Sequence, residues 1–393
     1  MIRSILISLC CVVALNTAVH ANALSKFSQL KNAGLLVVDA QGSQLLADNN
    51  NRSFIPASTT KIVTAWLALD RWGEDHRFAT DFYYDPEQFT LWVQGSGDPF
   101  LVSEELEIIA TQLQQLGVSR VDTIVLDGAR FQHGLVLPGT SRTNNPYDAV
   151  PSALAANFNT VNLKKVNGRV RSAESQTPLT AYAKSMARGF KKNKLRVNTG
   201  RDPRKAEHYF GELLSAFLKQ QGISVANNIV RGEAPRQAPF YHHFNSRTLG
   251  DMIRPMMKYS TNFIANQLVL MMSSEHYNRP ANAADVKRYM EDNLRTAFNW
   301  ENFSFQEGAG LSRKNRISPR QLVHLLQNFS QWRHLLPEVE TGVYAKSGTL
   351  KKVSTLAGFI VEDGEWKPFA LMMNQSVPYK LRNRIAKELR RTL

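Results

Sequence analysis

Between Ala57 and Asp70 the chain offers little that water would solvate. Ser58-Thr59-Thr60-Lys61 runs into Ile62-Val63-Thr64-Ala65-Trp66-Leu67-Ala68-Leu69, and Lys61 is the one ionisable side chain in the stretch. Such a run makes a poor exposed helix and a natural buried one. It predicts a domain built around a long apolar helix, entered through Pro56. Ser58 and Lys61 then share one helix face, a turn apart. An amine comes within reach of a hydroxyl that is inert at its own pKa. Burial lowers a lysine pKa, and a neutral lysine can take the serine proton. A helix N-terminus also offers backbone N–H groups to an oxyanion. The spacing alone decides nothing, because Ser28-Gln29-Leu30-Lys31 repeats it in a polar stretch near the N-terminus.

The 393 residues suffice for two or three domains. The apolar run Ile5 to Val13, closed by Ala18-Val19-His20-Ala21, reads as a secretory signal peptide over residues 1–21. It is too short to span a bilayer comfortably, so the mature chain is expected in the periplasm. Cys10 and Cys11 both fall inside it, which leaves no thiol for a disulfide or a nucleophile. A net charge of +15 favours anionic partners such as a membrane surface or a glycan, and the leader argues against nucleic acid. No H-E-x-x-H occurs and His242-His243 reads as a surface or packing pair, so neither metal nor cofactor is expected.

The texture of the chain changes twice. A hairpin over 35–46 leads into the Ser58 helix. From about His76 come short strands (78–84, 90–93, 124–126) and amphipathic helices over 104–116 and 207–221. A loop rich in Gly, Pro, Asn and Ser spans 134–151. A basic tract runs from Lys184 to Lys205 and includes Lys191 and Arg196; it reads as a solvated face, with polyanion contact as the alternative. After Ser246 follow helices over 249–259, 262–273, 283–298 and 318–329. Strands over 342–346, 354–361 and 366–373 and a basic helix over 382–393 complete the chain. The order predicts an α/β (α+β) protein. Residues 22–75 and 246–393 form one domain, an antiparallel sheet flanked by helices. Residues 76–245 form a mixed α/β domain inserted after the Ser58 helix.

Acyl transfer through a serine needs a second proton carrier, a group that orients the substrate amide, and a cation for the substrate carboxylate. Ser260-Thr261-Asn262 supplies the first two on a turn between helices. Lys346-Ser347-Gly348 supplies the third at a strand end, where Gly348 lets substrate backbone lie close. Each triplet occurs once in the chain. Together, in the order S-x-x-K, S-x-N, K-[ST]-G, they make a strong signal.

With these motifs the chain resembles the class C low-molecular-mass penicillin-binding proteins, D-alanyl-D-alanine carboxypeptidase/endopeptidases of the serine β-lactamase-like superfamily. The long interval between Ser58 and Ser260 suits a family with a domain inserted there. Gly97-Asp98-Pro99, Tyr147-Asp148-Ala149-Val150-Pro151 and Gly308-Ala309-Gly310-Leu311-Ser312 extend the likeness over nearly the whole mature chain. Departures are Ser347 in place of threonine, Asn266 where an acid is common, and Glu307 opening a more usual D-G-S-G.

The resemblance implies that Lys346 and Ser347 grip a terminal D-Ala carboxylate while Asn262 bonds the substrate backbone. Lys61 deprotonates Ser58, the backbone N–H groups of Ser58 and Thr349 form an oxyanion hole, and Ser260 relays a proton to the leaving amine. Asp127 would hold a substrate side-chain amine. The substrate is a peptidoglycan stem peptide ending in D-Ala-D-Ala, and β-lactams would acylate Ser58. The rivals are a serine β-lactamase, for which no E-x-x-L-N-like loop supplies a deacylation base, and a catalytically silent wall-binding protein.

Overall fold

The computed structural model of the protein describes residues 23–188 and 192–393. The expected leader and Lys191 lie outside the described residues. The chain opens with α1 (Ala23–Ser28), β1 (Ala33–Val38) and β2 (Gln44–Asp48). A 3₁₀ turn at Ala57–Thr59 leads into α2 (Thr60–Trp72). Next come β3 (Ala79–Asp85), β4 (Thr90–Gln94), α3 (Ser103–Gln115), β5 (Arg120–Asp127), β6 (Thr160–Val166), β7 (Arg169–Ser172), α4 (Ala181–Met186), β8 (Lys194–Asn198), α5 (Pro203–Gln220), β9 (Ser224–Arg231) and β10 (Tyr241–Phe244). The remainder is α6 (Leu249–Tyr259), α7 (Asn262–Tyr277), α8 (Ala283–Phe298), α9 (Pro319–Asn328), β11 (Glu338–Glu340), β12 (Val343–Leu350), β13 (Val353–Glu362), β14 (Glu365–Met373) and α10 (Leu381–Thr392).

The two ends of the chain build one antiparallel six-stranded sheet, ordered β11-β12-β13-β14-β1-β2. Its centre is read as near-continuous apolar runs because helices cover both faces. Val37, Phe369 and Leu371 face Leu381, Ile385 and Leu389 of α10. Leu36, Ala370 and Met372 face the larger core that holds α2, α6, α7 and α9. Every residue of α2 from Thr60 to Leu69 is buried, as is every residue of α7 from Asn262 to Ser274. Helices apolar all round belong inside a domain, and these two pack on each other as its axis.

Between residues 79 and 244, β3, β4, β5, β9 and β10 form a separate mixed sheet, ordered β10-β3-β4-β5-β9. Its β4–β5 and β5–β9 pairs are parallel, and α3 and α5 pack against it. A small antiparallel sheet, β7-β6-β8, stands beside it. The Gln267 amide of α7 donates to the carbonyls of Gly97 (2.9 Å) and Ser152 (3.0 Å), tying this middle region to the helical axis. The repeated S-x-x-K spacing is resolved by position. Ser28 ends the six-residue α1, where its hydroxyl donates back to Ser25 O, while Lys31 is exposed beyond the helix end.

Candidate active site

The turn that presents Ser58 is held from three sides. The carbonyl of Pro56 accepts from the Thr59 hydroxyl (2.8 Å) and from the Thr355 hydroxyl of β13 (2.7 Å). Asn374 brackets Ile55, accepting from its N–H (2.7 Å) and donating to its carbonyl (3.1 Å). Ala57 is fully buried with φ +48°, a left-handed conformation that costs a residue with a Cβ about 1–2 kcal/mol. Gly310 makes room for it: a Cβ there would lie 1.8 Å from Ala57 O. Ser58 therefore sits on a strained 3₁₀ turn just ahead of α2, rather than within the helix proper.

Lys61, one turn further, is fully buried. Its Nζ donates to Asn262 Oδ1 (2.7 Å) and to Ala309 O (2.7 Å) and lies 3.3 Å from Ser58 Oγ. Both close partners are oxygens that only accept. A neutral amine has two N–H bonds and one lone pair, so satisfying both partners leaves the lone pair for the Ser58 hydroxyl. The electrostatics favour that neutral form. Desolvation is the main cause holding the Lys61 pKa well below the ordinary lysine value; the Lys346 charge adds to it, and Glu307 opposes it.

Two elements sequence reasoning left without a role hold that amine in place. Glu307, fully buried, opens the loop that carries Ala309. Its carboxylate accepts from the N–H groups of Ala309 (2.8 Å), Gly310 (3.0 Å) and Ser312 (3.1 Å) and from Asn315 Nδ2 (3.0 Å). Asn266 Oδ1 accepts from Gly308 N, and Thr64 donates to Gly308 O. The signal was visible as the acid before a Gly-Ala-Gly loop. What hid was its target: the N–H groups of its own loop, which set the Ala309 carbonyl on Lys61.

Ser260 caps α6 in the left-handed region (φ 58°), and this bend starts α7 at Asn262. It thus stands two residues from the amide that holds Lys61. Asn262 was expected to bond substrate backbone. Here both ends of its amide are engaged, Oδ1 by Lys61 and Nδ2 by Tyr147 O (3.0 Å).

Lys346 lies on β12, buried, with its Nζ donating to Ser347 O (2.8 Å). Burial first, and the Arg382 charge second, lower its pKa to about 8. Gly348 proves necessary for a reason other than substrate approach. A Cβ would fall 2.2 Å from Thr355 Oγ1, 2.8 Å from Pro56 O and 2.9 Å from Ser58 N, so the glycine lets β12 close onto the serine turn. Thr349 is exposed at the strand end. Arg382, at the start of α10, donates from Nη1 to Gly348 O and to Thr349 Oγ1, both at 2.7 Å. Desolvation lowers its pKa as well. Sequence reasoning missed Arg382 because only the fold carries the last helix back to the third motif.

Ser58, Lys61, Asn262 and the Lys346–Thr349 end of β12 are thereby brought together around the serine turn, with Ser260 on the turn that carries Asn262. Asp127 is not. It ends β5, where its carboxylate accepts from Ala129 N (3.0 Å) and Ala234 N (2.9 Å). It lines a cavity with Ser274 and Glu275, at the far end of α7. Those residues are about 18 Å from Asn262 at 1.5 Å rise per residue. Asp148 of the middle region follows Tyr147, whose carbonyl accepts from Asn262. It is buried and accepts from Ser141 N (3.4 Å) and the Thr143 hydroxyl. The choice of Asp127 failed because a strand end reads alike whichever way its sheet faces.

A serine beside a buried lysine whose pKa is held low, with a Ser/Asn turn and a cationic strand edge on a helix-flanked antiparallel sheet, is the arrangement of a serine acyl-transfer enzyme. The profile of the D-Ala-D-Ala carboxypeptidase 3 (S13) family matches residues 15–337, and the chain belongs to that family. It is a serine-type D-Ala-D-Ala carboxypeptidase of the class C penicillin-binding type. Similar relatives include the D-alanyl-D-alanine carboxypeptidase DacB of Haemophilus influenzae, 24% identical over 89% of this chain and 86% of that one. Another is the D-alanyl-D-alanine carboxypeptidase of an Actinomadura species, 23% identical over 89% and 81%. Among solved structures, penicillin binding protein 4 of Haemophilus influenzae has a TM-score of 0.75 at 20% identity, covering 94% of this chain and 98% of that one. A predatory peptidoglycan endopeptidase of Bdellovibrio bacteriovorus has a TM-score of 0.56 at 15% identity, covering 92% and 91%.

Proposed function

We propose that Ser58 is the nucleophile and Lys61 its base in cleaving the terminal D-Ala-D-Ala bond of peptidoglycan stem peptides in the periplasm. The observation that carries this is the Lys61 amine, whose two short bonds go to acceptors and whose remaining direction points at Ser58 Oγ. Lys346 holds the substrate carboxylate through a charge-assisted contact, and Arg382, with Thr349 Oγ1, adds a second cation on the same side. Ser58 Oγ attacks the scissile carbonyl as its proton passes to Lys61. The Ser58 and Thr349 N–H groups receive the oxyanion; a single such donor is worth about 10²–10³ in kcat elsewhere. Ser260 passes a proton to the departing amine, and water then frees the acyl-enzyme.

Asn262 positions Lys61, and it reaches substrate only by exchanging its bond to Tyr147 O. Asp127 has no part in this site, and the residues 76–245 serve as an inserted unit that frames it through Tyr147 and Asp148. The same chemistry cleaves a D-Ala cross-link when the leaving amine belongs to a second stem, so endopeptidase action shares every step. Mass spectrometry after exposure to penicillin should find one adduct on the Ser58 peptide and none in Ser58→Ala. An adduct elsewhere, or none, refutes the assignment. Digestion of a stem pentapeptide beside a cross-linked dimer then reports which bond is preferred.

A further inference from the structure

The small β7-β6-β8 sheet has two unlike faces. Directly paired residues on neighbouring strands share a face. Leu163 of β6 pairs Leu195 of β8, and Val161 pairs Val197; this side joins the apolar core of the middle region. On the other side Lys164 stands between Arg171 of β7 and Lys194 of β8. Arg169 lies opposite Val166, and Arg196 opposite Asn162. Five cations therefore occupy one sheet face, spaced about 5 Å across strands and about 7 Å along them.

Like charges facing each other across strands are destabilising, and among the described residues no ion pair offsets them. Residues 160–198 contain ten Lys and Arg against one acid, Glu174. Its carboxylate already accepts from Asn162 Nδ2 (3.1 Å) and the Thr177 hydroxyl (3.3 Å). Among the described residues Arg169, Arg171, Lys194 and Arg196 are exposed and none of the five cations forms an ion pair. Val166, 40% exposed, ends β6 on this same face, just before the Asn167-Gly168 turn.

We propose that this face docks the protein onto a bilayer carrying anionic phospholipid headgroups. The cations form a two-dimensional array on a flat sheet, which suits a planar charged surface; a linear polymer would be met by a groove or a single row. Val166 adds an apolar tip at the headgroup boundary. Such attraction is electrostatic and acts over about a Debye length, so it must fade with salt. It is independent of the chemistry at Ser58.

The test is co-sedimentation of the full mature chain with phosphatidylcholine vesicles, with and without about a third phosphatidylglycerol. Fluorescent penicillin labelling of Ser58 is read on the same samples. Binding is expected only to the anionic vesicles at about 50 mM salt, with a drop of at least about tenfold at about 0.5 M. The triple variant Lys164→Gln, Arg171→Gln, Lys194→Gln should lose that binding and keep the penicillin label. The control Lys26→Gln, Arg384→Gln, Arg391→Gln, which removes equal charge near α1 and α10, should keep both. The proposal is overturned if the first triple still sediments, if the control loses binding equally, or if wild-type protein ignores vesicles and sediments only with insoluble peptidoglycan or polyphosphate. A lost label with retained vesicle binding would count against the Ser58 assignment alone.

Discussion

Glu307→Gln tests the idea that the loop behind Lys61, rather than the serine motif alone, sets the base. Glu307 Oε1 takes three donors, from Gly310 N, Ser312 N and Asn315 Nδ2, and Oε2 takes one, from Ala309 N. Glutamine keeps one oxygen for the first three. Its amide nitrogen then confronts Ala309 N, donor against donor. Leaving a buried donor unpaired costs about 1–3 kcal/mol, and exchanging a charged acceptor for a neutral one weakens each remaining bond by under about 1 kcal/mol. Together these predict a loss near 4 kcal/mol. At about 2 °C per kcal/mol for a large domain, the melting temperature should fall by about 8 °C.

The electrostatic effect has a definite sign. The Glu307 charge raises the Lys61 pKa against the desolvation and the Lys346 charge that lower it. Removing that charge lets the pKa fall further, so a larger fraction of Lys61 is neutral at any acidic pH. The acid limb of penicillin acylation, followed by stopped-flow labelling across pH, should therefore move to lower pH in the variant. Its plateau should fall as well, because Ala309 O is no longer held on the amine. A folded variant whose acid limb stays put, or moves to higher pH, would refute the view that Lys61 acts as a neutral base tuned by this carboxylate.

Other expectations follow from the same geometry. With Lys346 losing its proton at about 8, kcat/KM for a D-Ala-D-Ala peptide should fall above that pH, and Lys346→Arg, charged throughout, should extend the plateau; an unchanged alkaline limb counts against Lys346 as the carboxylate anchor. Gly348→Ala forces β12 off the serine turn, costing about 1–3 kcal/mol of stability and about 10²-fold in acylation rate, measured by thermal melts and labelling kinetics. Arg382→Gln should raise KM about tenfold for a peptide with a free terminal carboxylate and leave an amidated peptide unaffected, one charged hydrogen bond being worth about 1.5–3 kcal/mol. Asp127→Asn should leave peptide KM unchanged, since its partners are Ala129 N, Ala234 N and Gln94.

What the sequence made legible was the part governed by local rules. The apolar run after Ser58, the helix limits at Leu249–Tyr259 and Ala283–Phe298 and the three motifs all follow from periodicity, capping and spacing along a few turns of chain. Contacts made by folding back were not legible. Arg382 reaches Thr349 only because α10 lies across the sheet, and Thr355 bonds Pro56 O only because β13 pairs with β12 behind the serine turn. The β6–β7 hairpin is a different case. Val166-Asn167-Gly168-Arg169 is a strong local turn signal with positive φ at both central residues, yet sequence reasoning assigned no element between the loop ending at 151 and the basic tract opening at Lys184.

The same distinction explains why Gly348 and Asn262 carry unexpected duties. A motif fixes which residue types meet, whereas the fold decides what each touches first. Before any substrate arrives, Gly348 is needed to let two backbones approach, and Asn262 to aim a lysine. The cost of burying Lys61 is offset by Asn262 Oδ1 and Ala309 O, two acceptors that do not take part in the reaction. A double variant, Asn262→Ala with Glu307→Gln, should therefore lose less acylation than the product of the two single losses, because either change alone already frees the amine from Ser58. Strict multiplication of the two effects in labelling kinetics would mean that the two groups act independently, and that the amine is not the shared target.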